Sequence, residues 1–537
     1  MAGKISVGLG GSIHDYATVV ADQDSIVWGL EDERITRIRH NLGSKDPLRP
    51  SFYAACSHFP EIESGNLTIV ANDTLSDVPL FEDIECEMMN HHLSHAYSVF
   101  FTSKFDEAVI LIVDGAGSVT ADHGNSHERE ATTIYFGNGN SITEISSTSG
   151  LLPCPKSINE FEISNSNSLG DLYGSATEAC GFARMQEGRT MALASYGDDR
   201  FLVEFLKRIS LGENGQYSID MHSQNGFLKF FADLRAEYGC GSKMAFDVKA
   251  AIARAAQEVV ETVISHLLRW AYQETGCENL CIAGGVALNA TVMGKLDKIS
   301  PFKYFSTVSS PGDSGTAIGS AIYGQLKENT GGKARRWNFS PYIGPVHNET
   351  SDAENELNCV LEFVDIQEGA DFVYDQLKSG KLVATFFGRS EFGPRALGNR
   401  SILACPSVPG ITSSINKLKS REWFRPVSPA AIIPAREGYE QGESMMQCAR
   451  TSSIEHFFHR PCVHVDGSAR VQTIKEGSHD FLWSLLQCFD AGHQVVLNTS
   501  FNIGGEPIVE TREQAVSTFL RSEIDFLVVE DRIYSKG

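Results

Sequence analysis

One pattern constrains the fold of this chain more than any other. An apolar strand, a glycine-rich turn and a hairpin follow one another, and the set occurs twice. In the first copy residues 4–8 run into Gly10-Gly11, and stretches 17–21 and 25–30 flank Asp22-Gln23-Asp24. In the second, residues 108–113 run into Asp114-Gly115-Ala116-Gly117, and stretches 132–136 and 141–146 flank Gly137-Asn138-Gly139-Asn140. Apolar residues at helical spacing follow each copy, most plainly over residues 247–275. The repetition predicts an α/β chain whose first part is a duplicated lobe.

Two related lobes with a ligand cleft resemble the actin, sugar-kinase and Hsp70 arrangement, a likeness of architecture that does not give chemistry. Near residues 327–340 the chain turns polar, with Glu-Asn-Thr-Gly-Gly-Lys-Ala-Arg-Arg, and reads as a linker. Strand patterns at 382–387, 494–497 and 526–529 then predict a separate α/β unit. The boundary is placed near residue 345, giving domains 1–345 and 346–537.

Composition excludes some functions. With 45 basic against 68 acidic residues the net charge is −23, unfavourable for nucleic acid or an anionic membrane. Any anion site must be a local basic cluster. The 12 cysteines are scattered without a Cys-x-x-Cys pair, which fits reduced thiols. The opening Met-Ala-Gly-Lys-Ile-Ser-Val moves into a strand pattern rather than a signal peptide, and the apolar run 108–113 is too short to span a bilayer. A soluble, cytoplasmic protein is expected.

The segment Asn90-His91-His92-Leu93-Ser94-His95 carries two histidines four apart. On a helix both imidazoles share one face and could reach one metal, with Asn90 as cap. The same pair also fits a plain polar helix face. Asp114 ends a strand, and Asp313 lies in Ser309-Ser310-Pro311-Gly312-Asp313-Ser314-Gly315, a turn opening a helix. Two imidazoles and two carboxylates suit iron, zinc or manganese. His123 and His127 share the spacing but lie among loop residues. Gly284-Gly285, followed by Asn289, could bring backbone close to a phosphate or ribose, or simply make a tight turn. His14 could take a proton from a hydroxyl, or be an ordinary turn residue.

Between residues 389 and 425 seven cations (Arg389, Arg395, Arg400, Lys417, Lys419, Arg421 and Arg425) meet only Glu391 and Glu422, a net of +5. Arginine forks match phosphate oxygens, and such a cluster suits a polyphosphate plus a second small anion. Asn498-Thr499-Ser500 is placed after the 494–497 strand, where Ser500 could hydrogen-bond a carbamoyl or phosphate oxygen.

In order along the chain stand NHHLSHA at 90–96, VDGAG at 113–117, EGRTMALASYG at 187–197, AGGVALN at 283–289, GRSEFGPRALGNRS at 388–401, REWFRPVSPA at 421–430 and NTSFNIGGEPIVET at 498–511. With these motifs the chain resembles the nodulation-type and cephamycin-type O-carbamoyltransferases over essentially its whole length. The resemblance implies a duplicated actin-like (ASKHA, Kae1-like) N-terminal domain, similar to the tRNA threonylcarbamoyl transferases, and a YrdC-like α/β C-terminal domain. It implies Fe(2+), or another divalent metal, on His91, His95, Asp114 and Asp313. ATP and carbamoyl phosphate are expected on Arg389, Arg395, Lys419, Arg425, Asn498 and Ser500. Carbamoyl adenylate is expected near Arg39, Gly284, Gly285 and Asn289, with His14 as base for a small-molecule hydroxyl acceptor, as in antibiotic and secondary metabolism. Ser12 and Arg39 stand where the family often has an acidic or asparagine residue and a lysine, so acceptor identity does not carry over. The two sites would have to share a sealed passage for the adenylate. An actin-like kinase or ATPase, carbamoylation of a macromolecule and a non-catalytic nucleotide-binding module are the rival readings. A homodimer is possible.

Overall fold

The computed structural model describes residues 5–62, 67–75, 85–124, 126–153, 165–328, 334–347, 349–432, 444–446, 448–450 and 462–537. The chain forms two compact units. The first comprises Met1–Ile13, Ala21–Ser25 and Gly65–Asn338, the second His14–Val20, Ile26–Ser64 and Phe339–Gly537. The units interleave along the sequence, with their last junction between Asn338 and Phe339. Two early segments belong with the C-terminal residues, and the hydrogen bonds show why. Buried Arg34 donates to the carbonyls of Glu391 (3.1 Å) and Gly393 (2.9 Å). Arg37 donates to those of Pro507 (2.8 Å) and Ile508 (2.6 Å). Of the expected linker, residues 329–333 lie outside the described residues.

The early strands are β1 (Ser6–Gly10), β2 (Ala17–Ala21), β3 (Ile26–Glu31), β4 (Thr68–Asn72) and β5 (Glu87–Met89). In the first unit β1, β4 and β5 are parallel neighbours, with Ser6 opposite Thr68 and Val70 opposite Glu87. The predicted first strand lay two residues too early, and its Lys4 is outside the described residues. In chain order β2 and β3 form the predicted hairpin.

The pattern recurs in β6 (Glu107–Val113), β7 (Ser126–Asn138), β8 (Ser141–Pro153), β9 (Asn279–Ala283) and β10 (Tyr304–Ser306). Here β6, β9 and β10 are parallel neighbours, and β7 and β8 pair antiparallel beside β6. All of β6 beyond Glu107 is buried, as its unbroken apolar run fits for a central strand, parallel to β9 on one side and antiparallel to β7 on the other.

Three helices of this unit matter for the site: α1 (His91–Phe101), α2 (Phe246–Thr275) and α3 (Thr316–Glu328). Helix α2 stops at Gly276, whose left-handed φ of 64° lets its N–H close onto Tyr272. Helices α1 and α3 touch backbone to backbone. A Cβ at Gly319 would lie 1.8 Å from the Ser94 carbonyl oxygen, so only glycine permits that approach.

In the second unit β11 (Leu357–Glu362), β12 (Val383–Phe386), β13 (Arg400–Ala404), β14 (Pro429–Ala431), β15 (Gln472–Thr473), β16 (Val495–Ser500), β17 (Phe526–Val529) and β18 (Arg532–Lys536) build one sheet. Its order is β11-β18-β17-β12-β13-β16-β14-β15. Side-chain alternation divides its apolar residues between two cores. Ala384, Phe386, Ile402, Leu497 and Leu527 pack with Ile415 and Phe519, on α4 (Ile411–Leu418) and α5 (Arg512–Leu520). Val383, Leu403, Val496 and Val528 pack with Leu485, on α6 (Asp480–Gln487), and with Val373. The unit is therefore a sheet with helices on both faces, and the chain as a whole is mixed α/β. Among the described residues no helix is long and apolar enough to cross a membrane, and no disulfide forms.

Candidate active site

The first unit brings together the four residues expected to share a metal. Asn90 caps α1, its side chain accepting from the Leu93 N–H at 2.8 Å. One turn separates His91 from His95, both fully buried, and their ring centroids lie 4.8 Å apart. Asp114 directly follows β6, and Asp313 opens the turn before α3. From His91 Nε2 it is 3.1 Å to Asp114 Oδ2 and 3.8 Å to Asp313 Oδ1. From His95 Nε2 the same oxygens lie at 4.0 and 3.9 Å.

The remaining carboxylate oxygens are held elsewhere. Asp114 Oδ1 accepts from the Gly285 N–H at 2.8 Å, and Asp313 Oδ2 from the Ser12 hydroxyl. Gly284 makes the first of these possible. It sits at φ 93°, and a Cβ there would lie 2.3 Å from the Val113 carbonyl oxygen.

The donors fit a borderline divalent cation. Neither ring nitrogen of buried His95 has a hydrogen-bond partner, and leaving such atoms bare costs free energy unless a ligand takes them up. Two imidazoles and two carboxylate oxygens, mutually within 4.8 Å, form a set that could hold such an ion. Burial and the neighbouring His91 push the His95 imidazole well below its ordinary pKa. For Asp114, burial opposes ionisation, but the His91 hydrogen bond and the histidine charges outweigh it and hold the carboxyl well down.

His14 lies in the second unit. Its Nδ1 is 3.0 Å from Asp15 Oδ2, and His40 Nδ1 is 2.9 Å from Asp15 Oδ1. One carboxylate thus serves two imidazoles. Burial works against its charge, yet hydrogen bonds from both rings hold its pKa below the usual carboxylate range.

The cationic region of this unit is more selective than the sequence suggested. Arg389 spends its guanidinium on the carbonyls of Gly344 (2.8 Å), Val27 (2.6 Å) and Ile343 (2.8 Å). It was expected among the phosphate ligands; in the structure its Nε and one terminal nitrogen hold these backbone carbonyls. Arg400 is likewise buried against the Phe386 ring at 3.5 Å and bound to the Phe387 and Gly388 carbonyls. Exposed Lys417 pairs with Glu523.

Lys419, Arg421 and Arg425 remain together. Lys419 Nζ donates to the Ser500 carbonyl (2.7 Å) and hydroxyl (3.0 Å) and to the Asn502 carbonyl (2.9 Å), so Lys419 and Ser500 meet as expected. Burial, then Arg421, Arg39 and Arg425, push Lys419 well below its ordinary pKa. Burial, then Arg425, Arg470 and Arg39, do the same to Arg421. Arg39 belongs to the second unit and is among the cations that act on Lys419 and Arg421. Sequence reasoning missed Arg470, which stands on a separate strand, Ser468–Arg470, far along the chain from the other cations.

Asn498 and Ser500 were expected beyond a strand end. They lie inside β16 instead, two apart and so on one face. Buried Asn498 holds Gln472 at 2.8 Å and reaches the carbonyl of Ala396, next to partly buried Arg395, at 3.4 Å. Asn289 caps a short helix through the Val292 N–H and donates to Gln257 at 2.8 Å.

Residues 66–322 match the description "Carbamoyltransferase N-terminus", and residues 374–536 match "Carbamoyltransferase C-terminus". The nodulation protein NolO of Bradyrhizobium diazoefficiens is 31% identical over 82% of this chain and 78% of its own length. The 3'-hydroxymethylcephem-O-carbamoyltransferase of Streptomyces clavuligerus is 28% identical over 65% of this chain and 64% of its own. A structure of full-length HypF in the phosphate- and nucleotide-bound form covers 61% of this chain and 56% of that one, at 14% identity and a TM-score of 0.39. The chain belongs to the carbamoyltransferase family and is an enzyme of that class.

Proposed function

We propose that this enzyme is an ATP-dependent O-carbamoyltransferase for a hydroxyl group on a small molecule. The observation that carries the reading is the crowd of cations around Lys419 and Arg421, which calls for a highly charged anion. The cephem relative supplies the hydroxyl-bearing acceptor class by name. The repeat of β1-β4-β5 as β6-β9-β10 supports a duplicated actin-like domain, and the C-terminal unit is read as its YrdC-like companion.

In this scheme water releases phosphate from carbamoyl phosphate, leaving carbamate. The carbamate oxygen attacks the α-phosphorus of ATP, forming carbamoyl adenylate and expelling pyrophosphate. Arg421, Arg425, Arg470 and Arg39 neutralise the crowded charge, and Lys419 fixes Ser500 beside them. The acceptor oxygen then attacks the carbamoyl carbon, AMP leaves, and an O-carbamate remains. His14 takes the acceptor proton, its ring steadied by Asp15. His91, His95, Asp114 and Asp313 would hold a divalent metal, with Fe(2+) the first candidate. When bound, such an ion supplies Lewis-acid polarisation of a carbonyl.

The test is a product analysis with ATP, carbamoyl phosphate and a panel of hydroxylated metabolites. AMP, pyrophosphate and an acceptor heavier by the mass of HNCO are expected. ADP as product, formed without carbamoyl phosphate, would favour the kinase reading instead.

A further inference from the structure

Beside the four-donor cluster lies a chain of hydrogen bonds that ends on one of its histidines. Asn72 Nδ2 donates to the Gly11 carbonyl and to the Thr316 hydroxyl, each at 2.8 Å. The amide is thereby turned so that its oxygen faces Thr74, whose backbone N–H donates to it at 3.2 Å. The Thr74 hydroxyl touches three atoms: Asn72 Oδ1, the Gly11 carbonyl oxygen at 3.0 Å and His91 Nδ1 at 3.1 Å.

Proton counting settles the direction of each bond. A threonine hydroxyl has one hydrogen to give. Asn72 Oδ1 and Gly11 O can only accept, so that hydrogen goes to one of them. What the hydroxyl offers His91 is a lone pair, and His91 Nδ1 must be the donor. In the neutral ring Nε2 then carries the lone pair. That lone pair points toward two carboxylate oxygens, Asp114 Oδ2 at 3.1 Å and Asp313 Oδ1 at 3.8 Å. Without a metal a proton on Nε2 can bridge to Asp114 Oδ2, and a bound cation takes that proton's place, with Nδ1 the donor to Thr74 in either case. His95 has no such anchor, since neither of its ring nitrogens has a partner.

We propose that Thr74, oriented by Asn72, is a positioning residue that locks His91 in its metal-binding tautomer and so sets the affinity of the cluster. The inference rests on the reading that the cluster holds a metal. Outer-shell partners of ligating histidines are typically worth 10- to 100-fold in metal affinity.

Cobalt(II) makes the idea measurable, because its visible absorption reports binding without any turnover. The full-length protein is titrated with Co²⁺ against a competing chelator. Thr74→Val keeps the shape of the side chain and removes the hydroxyl, and it should weaken binding about 10- to 100-fold with the melting temperature preserved. Thr74→Ser, which keeps the hydroxyl, should bind nearly as well as the wild type. Equal affinity in wild type and a folded Thr74→Val variant would overturn the relay while leaving the metal site standing. No cobalt binding by the wild type, indistinguishable from His95→Ala, would overturn the relay and the metal reading together.

Discussion

The two clusters of this enzyme solve opposite electrostatic problems. Around His91 and His95 two carboxylates make the cluster electron-rich, and Ser12, Gly285 and Thr74 each hold an outer atom of a donor. Around Lys419 and Arg421 the excess is positive. Arg39, Arg425 and Arg470 press on these two cations, and of the carboxylates only Glu506 reaches Lys419 and Glu422 reaches Arg421 among the leading influences. On the proposed function the first site is completed by one small ion, and the second, where burial and like charges press on Lys419 and Arg421, gains most from a polyanion. A site of oriented donors governs selectivity, and a site of crowded like charges governs capture.

If that contrast is right, anions should stabilise the second unit strongly. An anion at 100 times its dissociation constant contributes about 2.7 kcal/mol. Pyrophosphate should therefore raise the melting temperature of the wild type, and Arg421→Gln should lose most of that gain. A gain of equal size in Arg421→Gln would erase the distinction between the two clusters.

A smaller effect concerns pH. Lys419 has a folded-state pKa below its unfolded value of 10.5. In the folded state it gives up its proton earlier than in the unfolded chain. The cost of burying its charge is thus greatest at low pH and fades as pH climbs toward 10.5. Raising pH should relieve the anion-free protein but weaken its grip on pyrophosphate, two slopes of opposite sign. Both should flatten in Lys419→Met, as melting curves over alkaline pH with and without pyrophosphate would reveal. Unchanged slopes in the variant would remove Lys419 from the cluster.

Much of the fold was legible because periodicity is local. The two hairpins, the buried run of β6 and the strand at residues 526–529 follow from alternation and apolar runs alone. The metal-type cluster was legible for a related reason. His91 and His95 share a helix face by spacing, and Asp114 and Asp313 mark the ends of recognisable motifs. What stayed hidden depends on long-range contact. Nothing near Arg389 announces that the carbonyls of Val27 and Ile343 will absorb its charge. Nothing near Arg39 says that it faces Lys419, or that Arg470 joins them. Thr74 and Asn72 are ordinary turn residues in one dimension and become partners of His91 only in three.

The central claim is that the two clusters serve separate half-reactions. Carbamoyl-phosphate-dependent exchange of labelled pyrophosphate into ATP isolates the first. Exchange should persist near the wild-type rate in His91→Ala, although carbamoyl transfer is lost. In Arg425→Ala it should fall by about 10²- to 10³-fold, the usual loss for a removed charge-stabilising donor. Exchange that disappears in His91→Ala as completely as in Arg425→Ala would contradict the account.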